Sequence, residues 1–213
     1  MFTTLQGSKI DYDIRTYRYH RRQPDAPRNI KLKVTAGAVA GTLLPMMYVA
    51  KKQNVKIHKI DYGLKDMVLI STGGILGGMT AGLAFDKKEY RKQKVNESVF
   101  QFMNATVPTL LVGGLFALSK KYKSLNNIPY KIGSTALGLV GGMFMAAKLA
   151  NLINDPYDKV PDRKLTIKDA VANADDALGA LVLARVPLVD KLQADKALPA
   201  IYGWCGYRAG MSN

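Results

Sequence analysis

The chain has 213 residues, a net charge of +15, one cysteine and a mean hydropathy of −0.04. A single cysteine excludes an intramolecular disulfide and a CxxC site, and the positive charge favours anionic partners. Length and average hydropathy exclude neither a soluble domain nor a compact bundle of membrane helices, so the distribution of apolar residues along the chain has to decide.

The first 33 residues form a basic and aromatic segment. Tyrosines alternate there with Arg18, Arg21 and Arg22. Tyrosine is typical of membrane–water interfaces and arginine pairs with anionic headgroups, so we expect these arginines to contact anionic lipid or a partner protein. The same residue types suit a nucleic-acid surface. A membrane-anchored nucleic-acid-binding protein is therefore one alternative function.

Four apolar blocks follow, and together they contain a single charged residue, Lys148. They cover residues 34–50, 67–85, 99–118 and 132–153. A bilayer core about 30 Å thick is spanned by roughly 17–25 apolar helical residues. None of the blocks shows the polar face that helices of a soluble bundle carry. The sequence predicts an all-α polytopic membrane protein with four transmembrane helices.

Small residues recur every four positions in each block, and many of them are glycines. Residues at this spacing lie on one side of a helix. Membrane helices pack through such faces because lipid provides no hydrophobic drive for their association. We therefore predict a glycine-zippered bundle that forms a homo-oligomer or docks with other membrane subunits. The predicted helix-packing residues are Gly37, Gly41, Gly74, Gly78, Gly82, Gly113, Gly138 and Gly142.

The blocks also look like two copies of one helix hairpin. The segment TLLPMMYVAKK from Thr42 compares with TLLVGGLFALSKK from Thr109, and ILGGMTAG from Ile75 compares with LVGGMFMA from Leu139. Tandem two-helix units keep one orientation, so a true duplication predicts a parallel repeat and a pseudo-two-fold bundle. Chance similarity between glycine-rich membrane helices is the other explanation.

Prolines interrupt the first and third blocks. Pro45 and Pro108 each remove a backbone hydrogen bond, and Asn104 brings a polar side chain close to Pro108. Broken helices at corresponding positions of two halves indicate a transport site, although proline kinks in membrane helices also serve packing alone. A small-solute or ion transporter or channel, with its path at these three residues, is a second alternative function.

Lysines bracket the apolar blocks. We expect anionic lipid or a partner to contact Lys51, Lys52, Lys87, Lys88, Lys120 and Lys121. The side of the predicted bundle that holds both termini has 14 Lys and Arg residues near the helix ends, and the other side has 9. By the positive-inside rule, this difference predicts that both termini lie in the cytoplasm or on an equivalent inner side.

Residues 154–213 carry equal numbers of acidic and basic residues. Thr166 and Asp169 form a capping pattern that predicts a helix ending near Pro187. Its apolar stretch is too short to span a bilayer, so we expect it to dock on the bundle or to lie in the interface. Tyr202, Trp204 and Tyr207 follow in the tail and are predicted interface anchors.

The sequence contains no constellation of nucleophile, base and orienting group. Spaced aspartates at residues 155 and 158 could hold a divalent cation, but DALGALVLAR lacks the DGxxAR core of the CDP-alcohol phosphotransferases. We predict no enzyme activity, no cofactor and no metal site. The favoured function is that of a non-enzymatic integral membrane protein, a structural or pore/translocation subunit of a larger or homo-oligomeric membrane assembly.

Overall fold

The computed structural model describes residues 26–159, 162–163 and 194–212. This part of the chain contains five α-helices and no β-strand. The helices are α1 (Arg28–Gln53), α2 (Leu64–Phe85), α3 (Arg91–Lys121), α4 (Ile128–Asn154) and α5 (Leu198–Met211). Short 3₁₀ turns lie at Ile57–Lys59, Lys88–Tyr90, Lys123–Leu125 and Ala194–Ala197. The helix predicted at residues 166–187 lies outside the described residues.

Helices α1 to α4 are each long and apolar enough to cross a membrane. They contain 26, 22, 31 and 27 residues, and at 1.5 Å per residue even a 22-residue helix is about 33 Å long. The prediction of an all-helical chain with four helices of spanning length is confirmed for the described residues. The largest difference from the predicted blocks is in α3, which begins at Arg91 rather than near Val99.

Local sequence signals explain where these helices begin and end. The side chain of Asn127 caps α4 by accepting a hydrogen bond of 2.8 Å from Tyr130 N. Proline stands in the first turn of α4, where its missing N–H has no intrahelical partner to lose. Asn54 ends α1 in the left-handed conformation, with φ of 55°, which asparagine tolerates better than most residues. Paired lysines close α1 and α3, where cations complement the helix dipole.

The helices form two antiparallel hairpins, α1–α2 and α3–α4, that meet through α2 and α3. Helix α5 packs against α2 and also contacts α1 and α3. One end of the bundle, named the Lys94 end, contains Arg28, Phe85, Arg91, Asn154 and Met211. The other end, named the Lys120 end, contains Gln53, Leu64, Lys121 and Ile128. The first residue of α1 and the last residue of α5 therefore lie at the same end.

The interior consists of several small apolar clusters. One of them lies where α1, α2 and the start of α5 meet, and Tyr202 belongs to it. The sequence predicts an interface anchor at Tyr202, but the structure buries this side chain because α5 packs inside the bundle. Trp204 on the same helix is 54% exposed, and its ring stacks on Tyr207 with 5.5 Å between the centroids.

Candidate functional site

Helices α1 and α2 meet through glycines. Gly37 and Gly41 of α1 face Gly77 and Gly73 of α2. A Cβ atom added at Gly41 would lie 2.9 Å from Gly77 Cα, and one added at Gly77 would lie 2.8 Å from Gly41 Cα. Because the atoms in the way belong to backbone, a larger residue at either position would force the two helices apart.

The second glycine row of α2 packs against α5. Residues face each other in the pairs Gly74 with Tyr202, Gly78 with Gly206, and Gly82 with Gly210, so the two helices run parallel. A Cβ atom on Gly82 would lie 2.9 Å from Gly210 Cα. Helix α5 has 14 residues, which is about 21 Å at 1.5 Å per residue and too short to span a bilayer by itself. Its place therefore depends on protein contacts.

Helices α3 and α4 pack through glycines of α4 against larger residues of α3. Gly138 faces Val112, and Gly142 faces Pro108, where an added Cβ would lie 2.9 Å from Pro108 Cβ. Gly113 differs from the other predicted packing glycines. A Cβ atom there would meet only the side chain of Leu64, at an ordinary distance of 3.4 Å.

The matching positions of the two predicted hairpin copies have different neighbours. Gly74 and Gly78 align with Gly138 and Gly142 in the sequence comparison. Gly74 lies between Thr42 of α1 and Tyr202 of α5, and Gly78 contacts α5, whereas both glycines of the second pair contact α3. The aligned glycines therefore do not make equivalent contacts.

The residues of the predicted solute path lie in two different hairpins. Helices α1 and α3 continue through Pro45 and Pro108. Pro45 packs on Gly73 of α2, and Pro108 packs on Gly142 of α4, so each proline fills the space opposite a glycine of its own hairpin. Asn104 is buried one turn before Pro108. The structure thus places Asn104 near Pro108 and gives Pro45 a separate position between α1 and α2.

The lysines predicted to contact lipid are exposed. At the Lys120 end these are Lys51, Lys52, Lys120 and Lys121, and at the Lys94 end they are Lys87 and Lys88. Both ends of the bundle therefore present cationic surface. Arg18, Arg21 and Arg22 lie outside the described residues.

A buried ion pair, which the sequence reasoning missed, lies at the Lys94 end. Lys94 of α3 is fully buried, and its Nζ lies 2.8 Å from Oδ2 of Asp86, whose side chain is 5% exposed. The ammonium group also donates hydrogen bonds to the carbonyl oxygens of Gly210, at 2.8 Å, and Ser212, at 3.0 Å. The ammonium group thus has one carboxylate oxygen and two carbonyl oxygens around it. The cation lies where α5 ends, which is the negative end of its dipole.

A second polar cluster surrounds Glu97, one turn further along α3. Its Oε1 accepts a hydrogen bond of 2.8 Å from Gln101 Nε2. The same oxygen lies 3.5 Å from Arg163 Nη2 and 3.6 Å from Arg208 Nη2. The side chain of Asn151 exchanges hydrogen bonds with the backbone of Arg163. Glu97 therefore links α3 both to α5 and to the segment that follows α4.

One signal in the sequence assigns Lys94 to a helix rather than to a loop. Lys94 and Glu97 precede the apolar block that begins at Val99, and composition alone assigns them to a basic loop. Lys94, Ser98, Gln101 and Ala105 nevertheless follow the spacing of one helix face, which continues the helix upstream of the block. Lys148, the charged residue inside an apolar block, is exposed on α4.

Among residues 26–159, 162–163 and 194–212, no group of three His, Cys, Asp or Glu side chains is placed to hold a metal ion. Comparison with known proteins gives no match: no protein-family model and no curated protein matches the sequence, and no solved structure matches the chain. The proposals that follow rest on the residues and contacts of this chain.

Proposed function

We propose that this protein is a multi-pass integral membrane protein that serves as a non-catalytic structural or pore/translocation subunit of a larger or homo-oligomeric assembly. The observation that carries the proposal is the distribution of its side chains. Many large apolar residues of the spanning-length helices face outward, whereas the glycines at helix contacts and several polar residues face inward.

The outward residues are strongly exposed. Leu44, Ile132, Leu137, Phe144 and Leu152 each have 60 to 70% of their surface accessible. The buried positions include the polar residues Thr42, Ser98, Gln101, Asn104 and Thr109. Apolar surface in water is unfavourable by about 25 cal/mol per Å², and large exposed patches mark membrane or protein contacts. Surrounding lipid removes this penalty for the outward face.

The outer face of α4 supports a role as a subunit. Among the described helices, α4 packs chiefly against α3. Its opposite face carries Gly133, Leu137, Gly141 and Phe144, and a Cβ atom at either glycine would meet nothing within 4 Å. Small residues between large apolar ones allow close approach of another membrane helix. A second copy of this chain or a different subunit would supply that helix.

We also propose that the Lys94 end faces the inner side of the membrane. Both ends of the described helical chain lie there, and the count of Lys and Arg favours this side. Exposed lysines at both ends would contact anionic headgroups.

Two measurements on the full-length protein test the proposal. We expect the protein to remain in the membrane pellet after alkaline carbonate extraction and to require detergent for release. Native mass spectrometry of nanodiscs should then give a defined oligomer or a complex with another membrane protein. Release by carbonate alone would overturn the membrane assignment, and a lone monomer in both detergent and nanodiscs would overturn the subunit role.

A matched pair of variants locates the contact. Gly141→Phe places a large side chain on the outer face of α4, so it should reduce the mass of the assembly. Gly114→Phe changes an open, exposed position on α3 and should leave the mass unchanged. Equal masses for wild type and both variants would exclude the outer face of α4 as the contact.

A second candidate, a conduit for a small solute or ion, is favoured by the polar residues buried along α3. Ser98, Gln101, Asn104 and Thr109 follow helical spacing in the interior. Flux in liposomes that Asn104→Ala or Pro108→Ala abolishes, and that the exposed loop variant Asn126→Ala retains, would support it. Equal flux in all variants and in empty liposomes would exclude it.

The nucleic-acid alternative depends on Arg18, Arg21 and Arg22, which lie outside the described residues. Binding of an oligonucleotide to the purified full-length protein, with a steep dependence on salt, would support it. Absence of binding at low salt would exclude it.

A further inference from the structure

We infer that Lys94 and Asp86 form a latch that fixes the C-terminal helix α5 to both hairpins. Lys94 belongs to α3 of the second hairpin, and Asp86 directly follows α2 of the first. The two carbonyl oxygens that Lys94 also contacts belong to the end of α5. One ammonium group therefore joins three segments that are distant in the sequence.

The end of α5 needs such a donor. The last carbonyl groups of any helix have no partner within the helix, and leaving a polar backbone group unpaired in apolar surroundings is unfavourable. Gly210 is buried: Gly82 of α2 faces its carbonyl oxygen, and Val34 of α1 lies beside its Cα. Lys94 supplies the donor that water supplies at an exposed helix end.

Asp86 is the second half of the latch. A buried ammonium group without a counter-charge is strongly unfavourable, and removing one partner of a buried pair leaves the other uncompensated. The nearby pair of Glu97 and Arg208 also reaches α5, but its 3.6 Å separation is longer and its side chains are more exposed. The shorter distances around Lys94 make it the closer link to α5.

The protein contains its own reporter of this contact. Cys205 is the single cysteine of the chain, and it lies buried on α5 in a cluster with Ile75 of α2 and Ala209. Phe102 of α3 packs against the same cluster. If α5, which is too short to span a bilayer, leaves its groove for the membrane surface, the thiol of Cys205 reaches water and reacts with a maleimide.

The experiment measures the rate of maleimide modification of Cys205 in the full-length protein in nanodiscs. Lys94→Met removes the charge and the donors with little change in side-chain volume, and Asp86→Asn removes the counter-charge. Because each variant loses charge-assisted interactions of this kind, we expect Cys205 to react about 10 to 100 times faster in each variant than in wild type. In Arg208→Gln, the rate of Cys205 modification should rise by less than about fivefold over wild type.

Two control variants give the lower and upper limits of the modification rate. Lys92→Met changes an exposed lysine on the same helix and should react at the wild-type rate. Gly206→Leu forces α5 away from Gly74 and Gly78 without touching the ion pair, so it gives the rate for a displaced α5. A wild-type rate in Lys94→Met beside a fast Gly206→Leu would overturn the latch.

A second reporter separates release of α5 from general unfolding. Ala146 is buried on α4, so Ala146→Cys in a Cys205→Ser background monitors the α3–α4 hairpin. When Lys94→Met is added, we expect this thiol to stay protected. Its exposure at the same rate as Cys205 would show that Lys94 stabilises the whole bundle, and it would overturn a latch specific to α5.

Discussion

Gly78 of α2 and Gly206 of α5 lie so close together that a Cβ atom on Gly78 would be 3.0 Å from Gly206 Cα. Both helices are therefore held at a separation that only glycine permits. Lipid gives helices no hydrophobic drive to associate, so in a membrane-spanning bundle contacts between backbones at this distance would supply the packing energy. The glycine face of α2 is the part of the fold most sensitive to added volume.

The first prediction compares glycines that differ in their neighbours. Gly78→Leu should lower the free energy of unfolding by at least about 2 kcal/mol, because backbone atoms of α5 occupy the space that leucine needs. Gly114→Leu should change it by less than about 0.5 kcal/mol, since this position is exposed and its Cβ would meet nothing within 4 Å. Thermal unfolding in detergent, followed by circular dichroism, measures both. Equal midpoints would contradict the packing argument.

The second prediction concerns the α3–α4 hairpin. A side chain on Gly142 would meet the ring of Pro108, which cannot rotate away, so Gly142→Leu should destabilise by about 1–3 kcal/mol. Gly114→Leu changes an open, exposed position of the same hairpin and is the control. Circular dichroism melts of the two variants in one detergent give the comparison, and a lower midpoint for Gly114→Leu than for Gly142→Leu would refute it.

The positions of the long helices could be predicted because the information is local. Charge is nearly absent from each apolar block, and a single window of about 20 residues is enough to recognise a spanning segment. The row through Gly74, Gly78 and Gly82 is equally local, since only its spacing matters. The spacing does not show which helix packs against a glycine row. In the structure, the helix that packs against this row is α5.

Helix α5 and the buried charges could not be predicted for a different reason. Tyr202, Trp204 and Tyr207 suit an interface belt and a packed helix equally well, and the choice depends on the partner groove. Lys94 and Asp86 stand among exposed lysines of the α2–α3 connection, where composition indicates a solvated loop. Only the tertiary contact with Gly210 shows that this lysine is buried.

The third prediction concerns the acceptor shared by two arginines. Glu97→Gln removes the charge that faces Arg163 and Arg208 at 3.5 and 3.6 Å, and we expect a loss of about 1 kcal/mol because the site is partly exposed. Glu89→Gln changes an exposed residue whose partner is Lys87 and should leave stability unchanged. Chemical denaturation of both variants measures the difference. A larger loss of stability for Glu89→Gln than for Glu97→Gln would show that burial does not determine the size of the loss.

The fourth prediction concerns the cap of α4. Asn127→Ala removes the acceptor for Tyr130 N and should cost about 1 kcal/mol of stability. Asn127→Asp keeps an acceptor oxygen and should retain most of the stability. Asn126→Ala changes the exposed neighbour and serves as the control. If Asn127→Ala and Asn126→Ala melt at the same temperature, the cap contributes nothing.

The last prediction compares Lys148, which lies inside the fourth apolar block, with Lys94. Lys148 lies exposed on α4, six residues before Asn154, so its ammonium group can reach the headgroup region. Lys148→Met should leave the melting temperature unchanged, because no contact within the described residues is lost. Lys94→Met should lower it clearly, because Asp86 and two carbonyl groups lose their partner. A fall in melting temperature for Lys148→Met as large as that for Lys94→Met would mean that Lys148 is also held by a partner, and the outer face of α4 would then be where to look for it.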